Sequence, residues 1–168
     1  LVARCVRSAH PHQLPRWIHE MNPQRDLCNR AEYTQNLREE LSRIIGKYSI
    51  DSILDAPCGD FNWMREVTKR NPEVRYTGGD IVGHLIERNT KLFSAPNVKF
   101  LQIDITKDEL PEAKLMIVRD CLFHFSFSDF MAFKRKLLDS DIKLLLTTTH
   151  LLEKGYKNTD ISTGNFRM

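Results

Sequence analysis

The sequence lacks the features that define membrane-spanning, disulfide-rich and zinc-binding proteins. In its 168 residues no apolar run approaches the length of about 18 residues that a membrane-spanning helix needs. The four cysteines are widely spaced and form no Cys-x-x-Cys pair, which argues against a disulfide framework and a zinc site. Cys58 and Cys121 are most simply free thiols, and no apolar segment near the N-terminus resembles a secretory signal, so we expect a reducing, cytoplasmic location.

The sequence also lacks a P-loop and an excess of one charge over most of its length. No Gly-Lys-Ser/Thr segment is present to hold a nucleotide triphosphate. Residues 1–30 contain five arginines and two acids, whereas residues 31–168 contain 20 basic and 20 acidic residues. A nucleic-acid-binding domain usually has its basic excess on the folded body, so this balance argues against extensive nucleic-acid binding.

What remains is the composition of one soluble globular domain. Hydrophobic residues make up 41% and charged residues 28% of the chain. Pro11, Pro15 and Pro23 interrupt regular structure near the N-terminus, so we predict an arm over residues 1–28 and a single domain over residues 29–168. The histidines of the arm have no acids at ligand spacing, and we predict no metal site.

Hydrophobic periodicity predicts helices that alternate with short strands. Apolar residues at helical spacing predict a first helix over residues 29–47, which ends near Gly46. The predicted strands span residues 50–56, 74–78, 98–103, 115–118 and 143–149, and the further helices span residues 62–70, 82–93 and 128–138. This alternation predicts an α/β fold, a doubly wound and mostly parallel sheet with helices on both faces.

Acidic residues follow the first four predicted strands. The segments are Asp55-Ala-Pro-Cys-Gly-Asp-Phe61, Asp80 after two glycines, Asp104-Ile105, and Arg119-Asp-Cys-Leu-Phe-His124. In a doubly wound sheet these strand ends form the ligand-binding edge, and a carboxylate there can accept hydrogen bonds from ribose hydroxyls. A single such acid is often only a helix cap. Acids at four successive strand ends predict a site for a nucleoside cofactor.

This pattern resembles the class I S-adenosylmethionine (SAM)-dependent methyltransferases over about residues 30–150. Asp55–Phe61 is similar to the first motif of that family, Asp80 to its ribose-binding acid, and Asp104-Ile105 to its adenine-side pair. The segment from Val118 to His124 is similar to the fourth motif. The resemblance implies SAM as cofactor and S-adenosylhomocysteine as product. The implied cofactor-binding residues are Asp55, Ala56, Pro57, Cys58, Gly59, Asp80, Ile81, Asp104, Ile105 and Arg119.

Two departures from the family pattern stand out. Pro57 and Phe61 replace the first and third glycines of the loop, so we expect a loop of different shape. The residues after the fifth predicted strand are too few for the antiparallel hairpin that completes the sheet in the family. We expect either a truncated or partly observed protein or an unusual minimal version that lacks the hairpin. The same loop argues against a dinucleotide cofactor. It has only one of the three glycines of a dinucleotide site, and Phe61 and Trp63 would crowd a pyrophosphate.

Candidate bases follow strands four and five. His124 and Asp120 are the predicted catalytic residues, His150 is a weaker candidate, and His124 has the alternative role of a packed histidine between Phe123 and Phe125. The resemblance implies methyl transfer to oxygen or nitrogen of a small-molecule or sugar-containing, glycan-like acceptor. A catalytically inactive SAM-binding or scaffold protein is the alternative, and a nucleotide-dependent oxidoreductase is a third hypothesis.

Overall fold

A computed structural model describes residues 31–148 and 158–165. These residues form one five-stranded parallel sheet in the order β3-β2-β1-β4-β5. In chain order the elements are α1 (Ala31–Tyr48), β1 (Ser52–Asp55), α2 (Met64–Arg70), β2 (Arg75–Asp80), α3 (Gly83–Phe93), β3 (Val98–Gln102), β4 (Leu115–Val118), a 3-10 turn (Leu122–His124), α4 (Phe127–Asp139) and β5 (Leu144–Thr147).

The predicted α/β class and the alternation of strands and helices are confirmed. Boundaries move by a few residues, and β2 continues to Asp80 rather than ending at Gly78. The predicted N-terminal arm over residues 1–28 and its histidines lie outside the described residues, so the domain boundary stays a prediction. No described helix combines the length and the apolar character that crossing a membrane requires.

The sheet is covered on both faces, because adjacent residues of the central strands point to opposite sides. In β1 the Ile53 side chain packs in one cluster and Leu54 in the other, and both are almost fully buried. One face packs against α1 and α2 through residues such as Leu41 and Met64. The other face packs against α4 through Phe133. This two-sided burial explains why the strands are almost continuously apolar.

The strand order places a topological switch between β1 and β4. From β1 the chain adds β2 and then β3 on one side, and it next crosses to β4 and β5 on the other. All four pairings are parallel, so the carboxyl ends of the strands share one edge. In open α/β sheets the crevice at this switch is where ligands bind. The fold therefore gathers the predicted strand-end residues at a single edge.

Phe61 supports the loop after β1 from inside the core. Its backbone has φ of 60°, a left-handed conformation that favours glycine, yet its side chain is only 2% exposed. Its ring centroid lies 5.0 Å from that of Tyr76, 5.0 Å from that of Phe100 and 5.5 Å from that of Phe93. Such backbone strain costs about 1–3 kcal/mol, and the free energy gained by burying the large aromatic ring offsets this cost. The backbone conformation here is one that glycine adopts easily.

Gly78 on β2 sits where the Phe100 ring leaves no room for a side chain. A Cβ at this position would lie 2.6 Å from Cδ1 of Phe100, whereas a Cβ at Gly46 on α1 would meet nothing within 4 Å. We expect Gly78→Ala to lower the free energy of unfolding by about 1–3 kcal/mol through overpacking. Gly46→Ala, the same chemical change in an exposed helix, should raise it by up to about 1 kcal/mol. Urea denaturation compares the two, and equal effects would contradict the close packing at Gly78.

Candidate functional site

A cavity opens at the carboxyl ends of the strands. Its lining comes from the ends of β1 to β4, from the start of α4 and from the segment 158–165. The lining residues are Ala56, Pro57, Gly79, Asp80, Ile81, Ile103, Asp104, Ile105, Thr106, Lys107, Asp120, Cys121, His124, Phe125, Asp129 and Thr163. Apolar walls with a few polar groups are typical of small-molecule sites.

Asp80 occupies the end of β2 and holds the loop that follows β1. Its carboxylate accepts one hydrogen bond from the Gly59 N–H at Oδ2 and one from the Val82 N–H at Oδ1, each 3.1 Å long. The residue is only 1% exposed but lines the cavity. Asp80 therefore both holds the loop after β1 and forms part of the cavity wall.

Asn89 on α3 holds the other side of the same loop peptide. Its Nδ2 donates to the Gly59 carbonyl over 2.7 Å, and the side chain is completely buried. The Cys58 N–H donates to the Gly79 carbonyl over 2.8 Å, which ties the loop to the end of β2. Gly59 itself has φ of 60°. Side chains from two elements thus fix the left-handed turn at Gly59.

Asp104 follows β3 and is surrounded by donors from its own turn. Oδ1 accepts hydrogen bonds from the Thr106 N–H at 3.0 Å and the Thr106 hydroxyl at 2.6 Å, and Oδ2 accepts one from Lys107 Nζ at 2.8 Å. Burial tends to raise the pKa of the Asp104 carboxyl, but the hydrogen bonds from Lys107 and Thr106 outweigh it and lower the pKa. Asp104 is therefore ionised at neutral pH. The Lys107 side chain that pairs with it is 64% exposed.

Asp55 lies beneath the cavity rather than on its surface. It is 1% exposed, and its Oδ2 accepts a hydrogen bond from the Tyr76 hydroxyl over 2.7 Å. Burial raises the pKa of the Tyr76 phenol well above its ordinary value, and the nearby Asp55 charge raises it further. The phenol is thus a permanent donor to Asp55. This pair supports the strand ends from inside the sheet.

His124 is buried in the cavity wall and is only 2% exposed. Its Nδ1 lies 3.0 Å from the Asn165 carbonyl oxygen, and its own carbonyl accepts the Gly164 N–H over 2.8 Å. A carbonyl can only accept, so we assign the proton of the neutral ring to Nδ1. That tautomer has its lone pair on Nε2. The segment 158–165 therefore sets both the position and the tautomer of His124.

Asp120 and Arg119 follow β4 and form an ion pair. Arg119 Nη2 lies 3.2 Å from Asp120 Oδ2, and the guanidinium lies 5.4 Å from the centre of the Trp63 ring. Asp120 has φ of 51°, and its N–H donates to the Thr148 hydroxyl over 2.8 Å. Asp120 lines the cavity, whereas Arg119 is not among the lining residues. Arg119 therefore supports the wall of the cavity.

The structure brings together most of the residues predicted from the sequence. Asp55, Cys58, Gly59 and Arg119 are not among the lining residues, and His150 lies outside the described residues. The predicted residues in the lining are Ala56, Pro57, Asp80, Ile81, Asp104, Ile105, Asp120 and His124.

Sequence analysis did not identify three polar lining residues, Thr106, Lys107 and Asp129. Thr106 and Lys107 lie in the short turn after β3. Their position two and three residues after the predicted site residue Asp104 was the feature of the sequence that could have identified them. Asp129 looks in sequence like an ordinary charge of the first helical turn. In the described ranges 31–148 and 158–165, no three histidine, cysteine or acidic side chains are grouped so as to hold a metal ion.

Known proteins share this architecture. No family model matches the chain. The chain is 27% identical over 128 residues to a malonyl-[acyl-carrier protein] O-methyltransferase from Acetivibrio thermocellus. The aligned region covers 73% of this chain and 45% of the relative. The chain thus spans about half the length of that curated relative.

Two solved structures place the fold. The methyltransferase domain of bacterial CtHen1 superposes with a TM-score of 0.58 at 15% identity, over 68% of this chain and 65% of that one. The SAM-dependent methyltransferase SibL superposes with a TM-score of 0.51 at 20% identity, over 64% of this chain and 33% of that one. At these identities the similarity shows a common fold, a Rossmann-like methyltransferase core.

We expect the hydrogen bond from Asn89 to Gly59 to contribute measurably to the free energy of unfolding. Asn89→Ala leaves the buried Gly59 carbonyl without this donor, so we expect the free energy of unfolding to fall by about 1–3 kcal/mol. Thr90→Ala, at the exposed neighbouring position of α3, should change it by less than about 0.5 kcal/mol. Chemical denaturation followed by fluorescence measures both. Equal effects for the two variants would argue against a stabilising role of the hydrogen bond between Asn89 and Gly59.

Proposed function

We propose that this chain, which has the fold of the class I SAM-dependent methyltransferases, binds SAM in the cavity and transfers its methyl group to a small-molecule or sugar-containing acceptor. The observation that carries the proposal is the convergence of Asp80, Asp104 and His124 on one cavity at the switch point of the sheet. The methyltransferase relative and neighbours support the reaction class.

The residues at the ends of β2 and β3 fit a nucleoside. We assign the ribose hydroxyls to Asp80, whose carboxylate is already oriented by the Gly59 and Val82 N–H groups. We assign the exocyclic adenine amine to Asp104, where it replaces the exposed Lys107 ammonium. Ile81 and Ile105 line the cavity beside these acids and supply apolar surface for the ring. Ala56 and Pro57 form the adjoining wall.

The loop after β1 favours SAM over a dinucleotide. A dinucleotide site places a pyrophosphate on glycine N–H groups at the start of the first crossover helix. Here α2 begins after Trp63, and both Phe61 and Trp63 are buried in the core. The Gly59 N–H already donates to Asp80. SAM has no phosphate, so its binding does not require these groups.

When bound, SAM supplies an electrophilic methyl group on a sulfonium, and the protein aligns the acceptor for in-line attack. His124 is the residue we assign to proton removal from the acceptor, because its Nδ1 is engaged by the Asn165 carbonyl and its lone pair lies on Nε2. We assign to Asp120 a contact with the acceptor or the cofactor, since the adjacent Arg119 compensates its charge. We favour methylation at oxygen over methylation at nitrogen, because the curated relative is named an O-methyltransferase.

Calorimetric titration with SAM, S-adenosylhomocysteine and NAD tests the cofactor assignment. We expect micromolar binding of the two sulfur nucleosides and no binding of NAD. Asp80→Ala should abolish binding, and Asp104→Ala should weaken it at least about tenfold, the value of one charged hydrogen bond. Asp141→Ala is the control, because this carboxylate is 93% exposed and precedes β5 at the opposite edge. A folded wild type that binds neither sulfur nucleoside would refute the proposal.

A measurement of methyl transfer distinguishes an active enzyme from an inactive SAM-binding protein. The assay follows tritiated methyl transfer from SAM to panels of phenols, sugars and amines. His124→Asn keeps a donor near the Asn165 carbonyl but has no basic nitrogen, so we expect a rate about 100- to 10,000-fold lower at unchanged SAM affinity. SAM binding without transfer to any acceptor would favour the scaffold alternative. An unchanged rate in the variant would exclude His124 as the base.

A further inference from the structure

The charges around the cavity are unevenly compensated. Among the described residues that line it, Lys107 is the basic one and pairs with Asp104, while Arg119 pairs with Asp120 from outside. Asp129 lines the same cavity on the side of His124 and the segment 158–165. Within the described ranges, no lysine or arginine lies at ion-pair distance from Asp129. The pKa of Lys107 is raised mainly by its hydrogen bond to Asp104 and also by the charge of Asp129, so this one ammonium serves two acids. The lining carboxylates of Asp80, Asp104, Asp120 and Asp129 outnumber the two cations, Lys107 and Arg119, so the cavity carries a net negative charge.

Asp129 is oriented by two hydroxyl groups that both bind one of its oxygens. The Ser126 hydroxyl donates to Oδ2 over 2.8 Å, and the Thr163 hydroxyl donates to the same atom. In the part of the chain that the structure describes, no group donates to Oδ1. The carboxylate is thus held from one side while its second oxygen stays available to a donor in the cavity.

Three of the first four N–H groups at the start of α4 are already bound within the protein. A helix N-terminus binds phosphate or carboxylate through its first N–H groups. Here the Ser126 N–H donates to the Thr163 hydroxyl over 3.1 Å, and the Phe127 N–H donates to Asp160 Oδ1 over 2.7 Å. The Asp129 N–H donates to Ser126 Oγ over 3.1 Å. These groups are already used by the protein, and two of the residues involved are themselves acidic.

We propose that Asp129 Oδ1 binds a hydrogen-bond donor of the acceptor, and that this wall selects neutral hydroxyl-bearing or cationic amine-bearing acceptors over carboxylates and phosphates. The proposal rests on the proposed function, because it assigns the acceptor side of the same cavity. An anionic acceptor would meet four lining carboxylates, of Asp80, Asp104, Asp120 and Asp129, against the single ammonium of Lys107 among the described lining residues. Ser126 and Thr163 act as positioning residues for the carboxylate.

Cys121 provides a reporter for this charge, because its half-buried thiol lines the same cavity. The experiment measures its rate of modification by a cationic and an anionic methanethiosulfonate on the full chain, using mass spectrometry of the Cys121 peptide. Each rate is divided by the rate at free 2-mercaptoethanol, which removes the intrinsic difference between reagents. We expect the corrected ratio of cationic to anionic rates to be at least about tenfold above unity.

Asp129→Asn should lower that ratio at least about threefold, because it removes the charge and keeps the shape. Any change in the pKa of the thiol affects both reagents equally and cancels in the ratio. Asp141→Asn, at an exposed carboxylate outside the cavity lining, should leave the ratio unchanged. A ratio near unity in the wild type, a ratio insensitive to Asp129→Asn, or an unreactive Cys121 would each overturn the proposal.

SAM titration keeps this inference separate from the proposed function. Asp129→Asn should bind SAM with wild-type affinity, since Asp80 and Asp104 are unchanged. A wild type that fails to bind SAM but shows the charge selectivity would refute the cofactor assignment alone. A wild type that binds SAM without the charge selectivity would refute the acceptor assignment alone.

Discussion

The site depends on the way two side chains hold the Gly59 peptide. Asp80 accepts its N–H from the end of β2, and Asn89 donates to its carbonyl from α3. Both side chains are almost completely excluded from solvent, so the loop after β1 is fixed by elements that pack next to it. The same Asp80 lines the cavity. One carboxylate thereby shapes the loop and forms part of the cavity wall, which couples the fold to the candidate site.

The strand-end residues were predictable because parallel strands bring their carboxyl ends to one edge. Asp80 and Asp104 follow strands whose apolar runs are visible in the sequence, and their convergence required only the α/β order. The orientation of Asp129 in the cavity wall was not predictable, because it depends on hydroxyls from Ser126 and the distant Thr163. Contacts between segments that are far apart in sequence leave no periodic signal.

The loop after β1 shows how a departure from a motif is accommodated. The changed shape expected from Pro57 and Phe61 stays a prediction, and at Phe61 the backbone is left-handed, with φ of 60°, while the ring fills the core. Tyr76 and Phe100 surround the ring, and Gly78 makes room for Phe100. Asp55 and Arg119 lie outside the cavity lining, and their role in cofactor binding stays a prediction.

The most direct test of the central claim is a crystal structure of the full chain with S-adenosylhomocysteine. We expect the ribose hydroxyls within about 3.2 Å of the Asp80 carboxylate and the adenine amine at Asp104, with Lys107 displaced. The sulfur should face His124 across the cavity. Ligand density at another place on the sheet, or no density at saturating concentration in well-ordered crystals, would contradict the account.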